Sequence, residues 1–514
     1  MLKSDWKELQ NGSDIRGVAI EGVEGQEVNL TDDVVERLGA AFGTWLSEKT
    51  NKKPNALRVS IGTDSRLSAS RIKDAAIRGL NLVGIQVFDC GMASTPAMFM
   101  TTVTPGYEYD GAIMVTASHL PFNRNGLKFF TREGGLESED ITNVLLKAQN
   151  KDFTAAQTKG SVSTVDFISV YAKGLVDKVR REVNNPNNYD RPLEGFKIIV
   201  DAGNGAGGFY VDKVLVPLGA DTTGSQFLEP DGTFPNHQPN PEDKEAMAAI
   251  VKAVKENKAD FGIIFDADVD RAGAVDRNGK EINRNRLVAL MAAIVLEKHP
   301  GTTIVTDSIT STGLKTFIEE GLGGIHHRFK RGYKNVINEA IRLNKEGQEC
   351  HLAIETSGHG ALKENYFLDD GAYLITTILI KMARMKIYEN KDIDSLIENL
   401  AEPAEAKEFR MDLLVEDYGE YGQAILKDLE DYAKKSPGWQ IAPDNYEGIR
   451  VSFDAQNEDG WFLLRMSLHD PLMPLNIESN TAGGVRKIAS KLLPFLNKYE
   501  GLDASPLKNY LNEV

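Results

Sequence analysis

FKIIVDAGNGAGG, residues 196–208, decides the fold class: a short β-branched apolar run, Ile198 to Val200, ends at Asp201 and a glycine-rich turn, and a helical stretch follows. LRVSIGTDSR at 57–66 and TTIVTDSITSTGL at 302–314 open in the same way. Short apolar runs bounded by Gly or Asp read as strands covered on both faces, and repeated strand-turn-helix units predict α/β domains with largely buried sheets. The segment after residue 404 reads differently. A helix-like EYGQAILKDLEDYAKK precedes strands around GIRVSF and GWFLLRMSL, which predicts a separate α+β domain. At 514 residues the chain exceeds what one core fills, so three or four domains are expected.

Gly203, Gly205 and Gly208 satisfy G-x-G-x-x-G literally. The spacing alone is a weak sign of a dinucleotide site, and no second cofactor signal accompanies it. With 59 basic against 75 acidic residues the net charge is −16, and no basic stripe with interleaved aromatics is visible, so nucleic acid is excluded as a partner. Two cysteines, Cys90 and Cys350, cannot make a disulfide framework and read as buried thiols in a reducing compartment. His326 and His327 are poor joint metal ligands, because adjacent residues point to different faces. The first residues, MLKSDWKELQNGSD, hold no apolar core of signal-peptide length. The longest apolar run, LVALMAAIVL at 287–296, is about half a bilayer span and reads as a buried helix. A soluble cytoplasmic protein without a membrane partner is expected.

Four segments carry chemistry. In DGAIMVTASHLPFNRNGLKFF, 110–130, an apolar strand runs into a tight polar loop that presents Ser118 and His119 beside Lys128, and a hydroxyl there can hold a phosphoryl group. Taken alone, such a serine is as well explained as a cap or turn former. In FGIIFDADVDRAG, 261–273, a buried strand ends in Asp266, Asp268 and Asp270. Alternate spacing on an extended loop would aim all three carboxylates the same way and suit a small hard cation such as Mg²⁺. A calcium EF-hand is excluded, since its sixth and twelfth positions, counted from Asp266, hold Arg271 and Arg277 instead of Gly and Glu. In LAIETSGHGALKENYF, 352–367, Glu355 and Ser357 can hydrogen-bond neighbouring sugar hydroxyls, with His359 close behind. In WFLLRMSLHDP, 461–471, Arg465, Ser467 and His469 share one loop, and a guanidinium with a hydroxyl makes a phosphate cradle.

In this order along the chain, the four segments resemble the α-D-phosphohexomutase superfamily, the phosphoglucomutase and phosphomannomutase enzymes. Its phosphoserine loop is matched by Thr116, Ala117, Ser118, His119, Pro121, Asn125, Gly126 and Lys128, and its metal loop by Asp266, Asp268, Asp270 and Arg271. Its sugar loop keeps Glu355, Ser357, Gly358 and His359 with Ile354 for the first glycine; Asp14-Ile-Arg16-Gly17, PNPED at 239–243 and Arg331-Gly-Tyr-Lys334 are smaller echoes. The resemblance implies three α/β domains, 1–165, 166–283 and 284–403, and a C-terminal α+β domain, 404–514, around a central cleft. It implies that Ser118 carries the phosphoryl group and contributes to binding Mg²⁺ with the three aspartates. Lys128 and Arg271 would neutralise charge, while Arg16, His119 and His359 would lie near the reacting centre. Glu355, Ser357, Lys334, Arg465, Ser467 and His469 would hold the sugar phosphate.

The implied substrates are small hexose phosphates, with a hexose 1,6-bisphosphate as intermediate or activator, acted on by a monomer or homodimer. The family's asparagine after Ser-His is Leu120 here, and Leu468 and His469 replace polar residues of its phosphate loop. These departures motivate an alternative in the same chemistry, a glucose 1,6-bisphosphate synthase fed by a sugar bisphosphate donor such as fructose 1,6-bisphosphate. From another class, a silent sugar-phosphate sensor would have no need for the intact serine, aspartates and histidine. Cleavage of a phosphate monoester demands acceleration of up to about 10²¹-fold, so charge stabilisation and positioning must carry most of the work.

Overall fold

The computed structural model describes residues 1–443, 445–467 and 470–513. The chain forms two compact units, residues 1–287 with 357–395 and residues 288–356 with 396–514.

The first unit holds two sheets. In the larger, the strands Arg58–Thr63, Gln86–Met92 and Gly111–Val115 run parallel, with Arg58–Thr63 in the middle. Arg124–Thr131 then pairs antiparallel with Gly111–Val115 on one side and Asp14–Val18 on the other. This register sets Lys128 opposite Met114 and Arg16 opposite Gly126, so both cations lie beside the loop that leaves Val115. The helix Asp32–Thr50 begins at Thr31, whose hydroxyl accepts the Val34 N–H, carries Asp32 and Asp33 in its first turn and ends at a left-handed Asn51. It buries Leu38, Phe42 and Leu46 in a core shared with Ile61, Ile113 and Phe129. The second sheet runs Glu281–Ile282, Ala272–Asp276, Phe261–Phe265, Ile198–Asp201. Phe261–Phe265 is buried at every position, with a neighbouring strand on each edge and Ile264 in one core with Ile250 and Val254 of the helix Lys244–Asn257.

In the second unit the strands Ile325–Arg328, Thr303–Thr306 and Cys350–Ile354 are parallel, with Thr303–Thr306 central. The run LVALMAAIVL lies inside the helix Arg284–Lys298 and is buried throughout. Among the described residues no helix is long and apolar enough to cross a membrane. His326 and His327 point apart, the first bonding Thr306 and the second Glu339. Cys90 and Cys350 are both buried, and burial pushes the Cys90 thiol up to about 12.

The C-terminal residues form an antiparallel sheet in the order Glu405–Asp412, Leu472–Ser479, Gly460–Leu464, Ile449–Phe453, Gln440–Ile441. Its core takes Ile425 and Leu429 from the helix Tyr418–Lys435 and Ile488 and Leu492 from Gly484–Leu496. Arg450 ties this sheet to the parallel strands. Its Nη1 donates to Ser308 O at 2.9 Å and Thr310 O at 3.0 Å, and its guanidinium lies 3.6 Å from the Trp461 ring centroid. Replacing Arg450 by Ala strands two buried carbonyls and removes the stacked cation, so urea unfolding should show a loss of about 2–4 kcal/mol.

Candidate active site

The loop after Gly111–Val115 turns sharply at Ser118, a non-glycine residue with φ 52°. Left-handed backbone is rare for a side chain with a Cβ and persists only where the surroundings over-determine it. The Thr116 hydroxyl accepts the Ser118 N–H at 2.9 Å, and buried Ser118 Oγ faces the second sheet. There Oγ donates to Asp266 Oδ2 at 3.0 Å and accepts from Arg271 Nη2 at 3.0 Å.

Arg271 is the hub of the cluster. Besides Ser118 it donates through Nε to Asp266 Oδ2 at 3.1 Å, through Nη2 to His119 Nδ1 at 2.7 Å and through Nη1 to Asn240 Oδ1 at 3.2 Å. Because His119 Nδ1 accepts from a guanidinium, the ring is neutral; Arg271 first, then burial and Arg16, hold it down to about 2. Lys128 donates to Asp268 Oδ2 at 3.0 Å and also to Asp270 Oδ2.

The three aspartates converge, but not by alternation along an extended loop. Residues 266–270 form a turn in which Val269 N–H donates to Asp266 O, Asp266 N–H to Arg271 O, and Val269 takes φ 64°. A compact turn brings side chains two residues apart to one centre while its backbone is held from outside. Thr95, at the start of the helix Thr95–Met100, donates its N–H to Asp268 O at 2.8 Å and its hydroxyl to Asp268 Oδ2 at 2.5 Å. Gly371 N–H donates to Val269 O. The glycine-rich turn that mimicked a dinucleotide motif supports this loop: Ala206 N–H donates to Ala267 O at 2.8 Å, and a Cβ on Gly205 would lie 2.6 Å from Ala267 Cα. Close backbone approach uses that glycine.

Asp266, Asp268 and Asp270 offer oxygens that all lie within 4.8 Å of one another, and all three residues are almost wholly buried. Burial raises the Asp266 carboxyl well above its usual range, reinforced by the charges of Asp270 and Asp268. Burial acts the same way on Asp270, yet Lys128, His359 and Arg271 outweigh it and hold that carboxyl low. Asp268 Oδ1 and Asp270 Oδ1 are buried with no hydrogen-bond partner among the described residues. Buried oxygens without donors, clustered on carboxylates, fit a hard divalent cation. Asp270, His359 and Asp369 also lie close enough to share an ion, but His359 is paired through Nδ1 with Asp369. Burial opposes the His359 cation, but the Asp369 charge and hydrogen bond more than offset it and raise the ring above the usual imidazole range. Gly358, at φ 95°, lets the segment that carries His359 run against Ala272, where a Cβ would meet Ala272 O at 2.6 Å.

Ser118, His119, Lys128, Asp266, Asp268, Asp270, Arg271 and His359 therefore meet within the first unit, with Arg16, which pairs with Asp14 at 3.0 Å, acting on His119; Ser357 is buried in the same unit. Lys334, Glu355, Arg465 and Ser467 belong to the second unit. There Glu355 accepts the Gly332 N–H at 2.6 Å, and Lys334 lies in the first turn of the helix Tyr333–Lys345. Arg465 is buried, 3.7 Å from Glu447 Oε1, and Ser467 Oγ accepts the Asp470 N–H at 3.3 Å. Leu468 and His469 lie outside the described residues. Sequence reading missed Thr95, Asp369 and Glu447. Each is a common residue type at least 10 residues along the chain from its partner, and no local pattern marks it.

Residues 7–155, 171–279 and 283–403 match phosphoglucomutase/phosphomannomutase alpha/beta/alpha domains I, II and III. A phosphoglucomutase of Neisseria gonorrhoeae is 31% identical over 475 residues, covering 92% of this chain and 94% of that protein. A phosphomannomutase/phosphoglucomutase of Pseudomonas syringae pv. tomato is 30% identical over 478 residues, 92% of each chain. Among solved structures, a phosphoglucomutase/phosphomannomutase family protein of Burkholderia thailandensis superposes with a TM-score of 0.77 at 27% identity, covering 97% of this chain and 98% of that one.

Asp268→Asn removes one of the clustered charges while keeping the shape of the loop. Isothermal titration should show Mg²⁺ affinity falling by at least about tenfold. Titration indistinguishable from the parent protein would give the loop another role.

Proposed function

The chain belongs to the phosphoglucomutase/phosphomannomutase family and is a phosphohexomutase, an intramolecular phosphotransferase, and from that premise we propose that it works through a phosphoserine at Ser118 and a hexose 1,6-bisphosphate. The observation that carries this reading is the meeting, in one buried cluster, of Ser118 Oγ with Arg271 and Asp266, beside Lys128 and two further aspartates. A hydroxyl so surrounded by fixed cations is prepared to carry a doubly negative group.

In the forward half-reaction a sugar hydroxyl oxygen attacks the phosphorus. The bond from phosphorus to Ser118 Oγ breaks as the bond to the sugar oxygen forms, and the sugar's proton leaves as Ser118 Oγ gains one. Arg271, already on Oγ, and Lys128 offset the charge that spreads over the transferring group. His359, oriented by Asp369, exchanges the proton at the sugar hydroxyl, with Arg16 nearby. Mg²⁺ held by Asp266, Asp268 and Asp270 would supply further positive charge at the phosphoryl oxygens. Arg465 and Ser467 take the phosphate that does not react, and Glu355 and Ser357 take sugar hydroxyls. Return of the other phosphate to Ser118 completes the isomerisation of glucose or mannose phosphates.

Ser118→Ala should lower turnover by at least about 10³-fold while hexose-phosphate binding, read by titration, stays near normal. Arg465→Ala should raise KM for monophosphates by about 10- to 100-fold. With Mg²⁺, glucose 1-phosphate and catalytic glucose 1,6-bisphosphate, ³¹P NMR should show glucose 6-phosphate forming. Bisphosphate accumulating in step with a consumed sugar bisphosphate donor would instead assign a glucose 1,6-bisphosphate synthase.

A further inference from the structure

Arg66 lies wholly inside the first unit and touches neither Ser118 Oγ nor the aspartate trio through any hydrogen bond, yet all of its terminal donors are aimed at one segment. Nη1 donates to Pro121 O at 2.8 Å and Arg124 O at 2.9 Å, and Nη2 donates to Ser118 O at 2.5 Å and Leu120 O at 2.6 Å. Two terminal nitrogens carry four N–H groups, so the four carbonyls use them all. Behind the fork, Asp64 Oδ2 lies 3.3 Å from Nε and accepts the Thr116 hydroxyl at 2.7 Å. That same hydroxyl accepts the Ser118 N–H. Both sides of the left-handed Ser118 residue are thus tied to one ion pair: its N–H through Thr116 and Asp64, its C=O through Arg66.

We infer that Arg66, with Asp64, is the positioning residue of the phosphoryl carrier: it imposes the left-handed Ser118 backbone and turns the loop's carbonyl oxygens away from the phosphoryl group. The inference rests on the phosphoserine reading of Ser118. In a planar trans peptide the C=O and the following N–H point in opposite directions. Drawing Ser118 O onto the guanidinium therefore sends the His119 N–H to the opposite side. The negative ends of four peptide dipoles face a buried cation rather than an incoming dianion, which would repel them. The clamp also accounts for Leu120 where the family has asparagine. It holds that residue by its backbone, so the loop keeps its shape whatever the side chain. A lysine cannot do this, having three donors around a single nitrogen in place of a planar fork.

The test compares the full-length protein with Arg66→Lys, which keeps a cation opposite Asp64, and with Thr116→Val, which breaks the hydroxyl relay without touching the guanidinium. For each, three quantities are read: the thermal midpoint, the rate at which Ser118 acquires phosphate from glucose 1,6-bisphosphate with Mg²⁺ (quenched flow and peptide mass spectrometry), and kcat and KM for glucose 1-phosphate. Folded Arg66→Lys should lose about 10- to 100-fold in both phosphorylation rate and kcat, with KM within about twofold, because the carrier is misplaced while the sugar site is untouched. Thr116→Val should fall in the same direction, and it decides the matter if Arg66→Lys does not fold. Wild-type rates in a folded variant, or a defect confined to KM, would overturn the clamp alone. Failure of the parent protein to label Ser118 would overturn the phosphoserine reading and the clamp with it.

Discussion

Three carboxylates on one turn, all removed from water, are the constraint around which the first unit is organised. Burying even one uncompensated carboxylate is prohibitive, and three whose oxygens lie within 4.8 Å of one another repel as well. Lys128 and Arg271 make the arrangement tenable by pairing with different members of the cluster, Lys128 from a strand of the large sheet with Asp268 and Asp270 and Arg271 from the end of the turn itself with Asp266. Since Arg271 also holds Ser118 Oγ and His119 Nδ1, the balance of charge and the placing of the hydroxyl are one problem with one solution. Loss of any member leaves the others buried and unbalanced.

What aims these groups is mostly backbone. The turn carrying the aspartates is held by N–H groups from Thr95, Ala206 and Gly371, which come from separate segments of the chain. The Ser118 loop and the aspartate turn each leave the carboxyl end of a buried strand, where α/β sheets open and ligands bind. Phosphoryl transfer asks little covalent chemistry of a protein and a great deal of positioning, so a site supported by main-chain hydrogen bonds suits it.

The second unit solves a smaller problem with the same means. Glu447 accepts the Ser308 hydroxyl at 2.6 Å and the Arg331 N–H at 3.0 Å, and its other oxygen lies 3.7 Å from Arg465. One carboxylate thereby links the C-terminal sheet to the loops after two parallel strands, while Arg450 secures the neighbouring carbonyls. Arg465 is consequently presented by a rigid strand end.

The sequence by itself determined the α/β class, because apolar runs such as Phe261–Phe265 are tolerable only where both faces of a strand are covered. It marked the antiparallel C-terminal sheet by its change of pattern. It also singled out candidate loops, since Ser-His, alternating aspartates and Arg-x-Ser are dense in functional groups over a few residues. Only the tertiary structure decided how those groups meet. Local spacing predicted an extended acidic loop, whereas outside hydrogen bonds and a left-handed Val269 make it a turn. Asp369, Thr95 and Arg66 lie between 10 and 173 residues from the groups they hold, and an ion pair or a carbonyl clamp across such distances leaves no trace in local pattern. The glycine-rich turn shows the converse: its motif is local and legible, but its purpose, to let Ala267 come close, is set by a turn more than sixty residues away.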